Sequence, residues 1–127
     1  MQAYLLVGLG GALGAVARYG TGLAVTQVWR APFPLATLIV NIGGSLLMGL
    51  LVGWLGRALP VWNEAARLFL AVGVLGGFTT FSAYSLDAVT LFQRGAVVSA
   101  ALYVTASVVL SIGALALGLL LARVVPA

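Results

Sequence analysis

The sequence predicts an all-α integral membrane protein with four transmembrane helices, the third of them broken. The chain of 127 residues is 63% hydrophobic and only 6% charged, and its mean hydropathy is +1.21. Soluble domains carry about 25% charged residues, so a surface this poor in charge must face lipid. Four apolar stretches of spanning length and a run of paired glycines and threonines in the third stretch complete the prediction.

Each stretch reaches the roughly 20 apolar residues that a membrane span requires, and together they cover residues 4–28, 35–55, 65–92 and 96–124. Prolines mark the connectors 29–34 and 57–64, whereas the third connector, 93–95, is very short. The chain contains no linker or low-complexity run. We therefore expect one transmembrane domain over residues 1–127, inserted in the lipid bilayer of the cell (inner or plasma) membrane.

The arginines outside the first span divide almost evenly between the two ends of the predicted bundle. The amino-terminal side holds Arg57, Arg67 and Arg123, and the opposite side holds Arg30 and Arg94. The positive-inside rule therefore gives a weak bias, and two copies could insert in opposite orientations and pack antiparallel. The alternative is a single orientation that the sequence signals poorly. Because the arginines are scattered singly, they do not indicate a nucleic-acid partner.

Two spans carry polar side chains at intervals of four residues, which places each set on one helical face. The second span has Thr37, Asn41 and Ser45, and the fourth has Tyr103, Ser107 and Ser111. Polar groups in a span are costly, and they often mark ion pathways. The alternatives are an interhelical hydrogen bond for the amide and bonds to the helix's own backbone for the serines.

The third span contains the segment 73–85, in which Gly76 and Gly77 precede Thr79 and Thr80. Paired glycines and β-branched residues disfavour a continuous helix, so we predict a break near the middle of the span. Backbone groups released there must be buried in protein or line a cavity, as in the ion sites of discontinuous helices. A close helix crossing without a break is the alternative.

Arg18 is the one charged residue well inside the first span. No acidic residue in that span could pair with it, so the side chain either snorkels to the interface or lies at a vestibule that attracts anions. The rest of the composition disfavours an enzyme. Cysteine and histidine are absent, Ser82 and Ser85 therefore lack a triad partner, and the two isolated carboxylates cannot build a metal cage.

Three segments resemble the Fluc/CrcB family of fluoride channels, and the resemblance covers nearly the whole chain. The segments are 10–19 (GGALGAVARY), 41–45 (NIGGS) and 76–82 (GGFTTFS), in the order and spacing of the family. The resemblance implies a passive, fluoride-selective anion channel that exports fluoride from the cytoplasm. It also implies a dual-topology homodimer, in which two antiparallel subunits enclose two fluoride pores.

The resemblance further implies a role for individual residues. Main-chain carbonyls of Gly76 and Thr79 from both subunits would bind a structural sodium ion at the dimer centre, and Arg18 would lie toward the vestibule. The fluoride pore would be lined by polar and aromatic side chains from three spans, namely Thr37, Asn41, Phe81, Tyr84, Tyr103, Ser107 and Ser111. Within this set Asn41 would be the pore amide, and Phe81 would offer its electropositive ring edge.

Two positions depart from the family pattern. Tyr84 stands where the family has its second phenylalanine, and Gly113 stands where a further threonine donor often follows the two serines. The runner-up function is a small multidrug-type exporter, which is also a four-helix antiparallel dimer. That mechanism needs a carboxylate in the first span, and this first span has none.

Overall fold

A computed structural model describes residues 1–58 and 63–126, and within these residues the secondary structure is entirely helical. Three long helices are α1, Gln2–Val28, α2, Leu35–Ala58, and α4, Val97–Ala122. They match the predicted first, second and fourth spans to within a few residues. Part of the predicted connector 57–64, with Pro60 and Trp62, lies outside the described residues.

The third span is broken in its middle, as predicted. Its first half, here called α3a, consists of Asn63–Ala66, a π-helical run Arg67–Leu75 and a final turn Gly76–Phe78. Thr79 and Thr80 are extended, with φ/ψ of −80°/158° and −153°/119°. The second half, α3b, is Phe81–Gln93. The break follows the two glycines at the pair of β-branched threonines, which favour extended backbone.

Glycines allow α1 to pack directly on the backbone of α3a. A Cβ at Gly14 would overlap the carbonyl oxygen of Val74, and a Cβ at Gly77 would overlap the carbonyl oxygen of Gly11. Gly10 packs on α3a in the same way. In lipid, where helices gain little from burying apolar surface, this close approach is the main source of packing energy.

The second close pair is α2 with α4. Gly49 lies on the backbone of Leu115, and Gly118 lies on the backbone of Leu46. At the end of this pair, Arg57 donates to the carbonyl oxygens of Ala122 and Val125. The guanidinium therefore compensates the carbonyl groups that the end of α4 leaves without helical partners.

Four helices of the described chain are long and apolar enough to cross a bilayer, namely Gln2–Val28, Leu35–Arg57, Glu64–Gln93 and Val97–Ala122. Large side chains on their outer faces, such as Leu9, Leu86 and Leu102, are more than half exposed. A soluble protein would bury such a surface, whereas lipid solvates it. The chain is therefore a multi-pass membrane protein.

Candidate pore site

The site is organised around the break between α3a and α3b. Thr80 caps the start of α3b, because its Oγ1 accepts a hydrogen bond of 3.1 Å from the backbone N–H of Ala83. The Thr79 hydroxyl donates to the carbonyl oxygen of Leu75 at 3.0 Å and ends α3a. The Thr80 side chain thus satisfies a helix end that would otherwise be left without a partner in the membrane. The Thr79 hydroxyl adds a second bond to a carbonyl that already accepts the N–H of Thr79 at 3.0 Å.

Asn41 of α2 bonds to the backbone of the break at two points. Its Nδ2 donates to the Thr80 carbonyl oxygen at 3.0 Å, and its Oδ1 accepts from the Thr80 N–H at 2.9 Å. Three residues further along α2, Gly44 is buried at a position where a Cβ would overlap the Cγ2 atom of Thr79. The absence of that side chain lets α2 come close enough to the break for the Asn41 amide to reach it.

A cavity of about 370 Å³ lies beside this break, between α2, α3b and α4. Five of the predicted pore residues line it, namely Asn41, Phe81, Tyr84, Ser107 and Ser111, together with both threonines of the break and Ser45. The polar faces of the second and fourth spans therefore meet at one place. Apolar side chains such as Met48 and Ile112 form the rest of the wall.

The two serines of α4 are the unusual groups in this cavity. The hydroxyls of Ser107 and Ser111 are buried, and neither has a hydrogen-bond partner among the described residues. Other hydroxyls in the chain bond to the preceding turn, as Thr21 does to Ala17 and Ser85 to Phe81. A buried hydroxyl without a partner costs about 1–3 kcal/mol, so this pair is available to bind a ligand in the cavity.

The aromatic residues of α3b have contrasting environments. The Phe81 side chain is 78% exposed, whereas Tyr84 is buried, and their ring centroids are 5.3 Å apart. Tyr84 in turn lies 5.4 Å from Tyr103, which contacts Phe33 edge-on at 5.6 Å. One continuous row of four rings therefore connects the cavity wall with the connector between the first two helices.

Tyr103 does not line the cavity, although the sequence places it on the same face as the two serines. It is fully buried behind Tyr84, and its hydroxyl donates to the Asp87 carboxylate at 3.0 Å. Asp87 was not among the predicted site residues. A carboxylate seven residues after Thr80 in a span needs a partner, and this requirement is the signal that could have identified the pair.

Arg18 and Thr37 lie in a second cavity of about 300 Å³ between α1, α2 and the break. Tyr19 and Thr80 are also part of its lining. Among the described residues, no carboxylate forms an ion pair with Arg18. Thr80 borders both cavities, so the break separates the arginine-containing cavity from the serine-containing one.

The break also leaves carbonyl oxygens without helical partners. A continuous helix would bond the Thr80 N–H to the carbonyl of Gly76, but Asn41 takes that N–H. Within the described residues, no hydrogen bond reaches the carbonyls of Gly76 or Thr79. In the same part of the chain, no group of three or more Asp, Glu, His or Cys side chains converges.

Residues 5–119 match the family described as CrcB-like protein, Camphor Resistance (CrcB). The chain belongs to the CrcB family. It is 50% identical to a protein named fluoride-specific ion channel FluC from Hyphomonas neptunium, over 97% of each chain. A protein of the same name from Rhodospirillum centenum is 52% identical over 97% of each chain. Another, from Agrobacterium fabrum, is 53% identical over 93% of this chain and 94% of the relative.

The resemblance predicted from the three sequence segments is thus confirmed over nearly the whole chain. These CrcB relatives are named as ion channels, a class of transport protein and not of enzyme. The CrcB family also accounts for the four spans and the broken third helix. The roles of individual pore residues remain predictions that rest on the geometry above.

Proposed function

We propose that this protein is a passive, fluoride-selective channel. The observation that carries the proposal concerns Ser107 and Ser111, two residues of the cavity wall whose buried hydroxyls have no hydrogen-bond partner among the described residues. Hydroxyl groups can donate to an anion, and the amide of Asn41 lies in the same cavity. The names of the similar proteins from three bacteria point to the same ion.

Fluoride conduction requires the cavity to replace water. A small, strongly hydrated anion enters a narrow pore only if protein donors take the place of its hydration shell, and it leaves only if binding is divided among several weak sites. The serine hydroxyls and the ring edges of Phe81 and Tyr84 provide such sites, because the edge of an aromatic ring carries partial positive charge. The hydroxyl of Tyr84, which a phenylalanine would lack, donates to the carbonyl oxygen of Val104 at 3.5 Å and so connects the ring to α4.

The second cavity would serve as the entrance. The uncompensated charge of Arg18 raises the local concentration of anions, while Thr37 and Thr80 offer hydroxyls between this entrance and the serine-lined cavity. Tyr103 would act behind the pore wall, because its ring packs against Tyr84 and its hydroxyl donates a hydrogen bond to Asp87. The predicted polar set therefore divides into an entrance, a conducting wall and a supporting layer.

The direction of transport follows from the membrane potential. A passive anion channel in the cell (inner) membrane lets fluoride leave the negative interior, and each charge gains about 2.3 kcal/mol per 100 mV. Neither a cofactor for turnover nor a proton gradient is required. The protein would thereby export the fluoride that enters acid-exposed cells as hydrogen fluoride.

We further propose that two copies pack antiparallel and that each dimer contains two pores. Phe81 projects from the break with 78% of its side chain exposed, although it borders the cavity. Gly76 is also exposed, and a Cβ there would meet only the Ala71 carbonyl oxygen, at 3.6 Å. A second copy covering this face would complete the cavity wall, and the even distribution of arginines permits either orientation.

A sodium ion is the proposed structural cofactor of that dimer. The carbonyl oxygens of Gly76 and Thr79 fit it, because no hydrogen bond within the described residues reaches them and Na⁺ is a hard cation that prefers oxygen ligands. When bound, the ion would supply positive charge that neutralises the carbonyl dipoles of two facing breaks. The residues of this chain would provide every ligand through the main chain.

The antiparallel arrangement can be tested with a single cysteine, because the natural chain contains none. In sealed vesicles of one orientation prepared from the cell membrane, we expect a membrane-impermeant thiol reagent to label about half of a Gln2→Cys variant. After the vesicles are opened, the reagent should label all of it. A Gln93→Cys variant, at the end of α3b, is the matched control for the opposite end and should also be labelled to about half. Labelling of all molecules at one position and of none at the other would contradict the dual topology.

Ion efflux from liposomes that contain the purified protein tests the channel function. We expect fast, electrogenic fluoride efflux that begins when a potassium ionophore dissipates the opposing potential, with little chloride efflux under the same conditions. Fluoride efflux should not depend on a proton gradient, so adding a proton ionophore should change neither the selectivity nor the direction of transport. Efflux that requires a proton gradient, or equal rates for both anions, would contradict the proposal and favour an exporter or an unselective pore.

A further inference from the structure

The backbone conformation of Thr80 explains how one side chain can bond to both of its peptide groups. At φ −153° and ψ 119°, the residue is extended, so its N–H and C=O point to the same side, as in a β-strand. The carboxamide of Asn41 also presents a C=O and one N–H side by side. The two groups pair as neighbouring strands do, with bonds of 3.0 and 2.9 Å.

This pairing fixes the orientation of the amide. Only one of the two Nδ2 protons lies on the same side as Oδ1, and that proton bonds to the Thr80 carbonyl. Rotating the amide by 180° would place two donors and two acceptors face to face, which costs both hydrogen bonds in a part-buried site. The second Nδ2 proton therefore remains the one donor of the amide group without a partner among residues 1–58 and 63–126.

Thr80 is itself held in place by its own side chain. Its Oγ1 accepts the N–H of Ala83 and lies 3.3 Å from the Ser82 hydroxyl, so the cap of α3b maintains the extended conformation. The β-branched side chain also favours this conformation. The order of support thus runs from the start of α3b through Thr80 to the amide of Asn41.

We propose that Thr80 is a positioning residue that locks the Asn41 amide with a single N–H edge toward the serine-lined cavity. The inference rests on the proposed fluoride channel and adds to it the group that determines which end of the amide the ion meets. A freely rotating amide would expose its carbonyl oxygen half of the time and would repel an anion. The lock removes that state, so the amide acts only as a donor.

Selective ¹⁵N labelling of asparagine tests the lock, because Asn41 and Asn63 are the only asparagines in the chain. An Asn63→Ser variant identifies the two side-chain proton signals of Asn41 in detergent or nanodiscs. During a titration with sodium fluoride we expect one of these two signals to move and the other, which is bonded to Thr80, to stay. Sodium chloride at the same concentrations is the control and should move neither signal.

Variants of Thr80 separate positioning from a merely structural role. Thr80→Ser keeps the capping hydroxyl and should retain two separate Asn41 signals, of which one still responds to fluoride. Thr80→Gly removes the cap and the β-branch, and we expect the two signals to broaden through rotation of the amide, together with a loss of fluoride flux. Should the glycine variant fail to fold, the titration of the natural protein and the serine variant decides alone.

Three results would overturn the inference. Equal movement of both Asn41 signals would show that the amide is not locked, and movement of neither would show that it only stabilises the break. Retention of two sharp signals in a folded Thr80→Gly variant would show that Thr80 is not what holds the amide. Efflux measured on the same preparation keeps these outcomes distinct, because an absence of fluoride efflux would instead contradict the channel itself.

Discussion

At the scale of single residues, the proposed function depends on hydroxyls that folding leaves without partners among the described residues. Ser107 and Ser111 keep their buried hydroxyls unbonded within the described chain, whereas Ser85 bonds to the preceding helical turn. A group of this kind destabilises the protein by about 1–3 kcal/mol, and replacing it by an apolar one can be neutral or stabilising. The cost is consistent with selection for a ligand in the cavity and not for stability.

The sequence alone predicted most of the polar residues that line the cavity, since polar side chains in membrane spans are few and their spacing gives the helical face. It could not identify their partners, because a hydrogen bond between α2 and the break depends on helix positions that no local pattern contains. An interhelical hydrogen bond of Asn41 was one of the two alternatives, but its partner Thr80 was not predicted, and the pairing of Tyr103 with Asp87 was missed. The spacing along the fourth span predicted that Tyr103 lines the pore, whereas the structure buries it behind Tyr84.

At the scale of elements, the broken third span depends on close packing against α1. The glycines of α1 let its backbone contact that of α3a, and this contact includes the π-helical run Arg67–Leu75 before the break. The break was predictable from paired glycines and threonines. The π-helical run was not, because π-helical segments are rare and no residue type in the sequence marks this one.

Gly14 provides a test of this helix contact. A Gly14→Ala variant places a methyl group against the carbonyl oxygen of Val74 and the N–H of Phe78, both of them backbone atoms that cannot turn aside. We expect the free energy of unfolding to fall by about 1–3 kcal/mol, the range for overpacked sites. Titration with a denaturing detergent, followed by circular dichroism, measures the change.

Gly8 is the matched control on the same helix, since no atom lies within 4 Å of the position of its Cβ. A Gly8→Ala variant should therefore be neutral or stabilising by up to about 1 kcal/mol, the difference in helix propensity between the two residues. Equal stability of the two variants would contradict the close backbone contact between α1 and α3a at Gly14.

At the scale of the whole molecule, two cavities meet at one break. Arg18 and Thr37 line the first, the two serines of α4 line the second, and Thr80 belongs to both. The four spans were predictable because hydropathy is a sum along the chain. A second copy was suggested by the balance of arginines and by the family resemblance, and it stays a proposal, since the sequence of one chain holds no direct record of what covers its exposed faces.

Fluoride flux through a Ser107→Ala, Ser111→Ala double variant tests the central claim most directly. Thr105→Ala is the matched control, because this hydroxyl lies on the same helix but is exposed and outside both cavities. A hydrogen bond to a charged group contributes about 1.5–3 kcal/mol, and each 1.4 kcal/mol corresponds to a factor of ten. We therefore predict that the double variant folds with undiminished stability but conducts fluoride at least about tenfold more slowly, while the control conducts normally. A folded double variant that conducts fluoride as fast as the natural protein would contradict the claim that these hydroxyls replace the hydration shell of the ion.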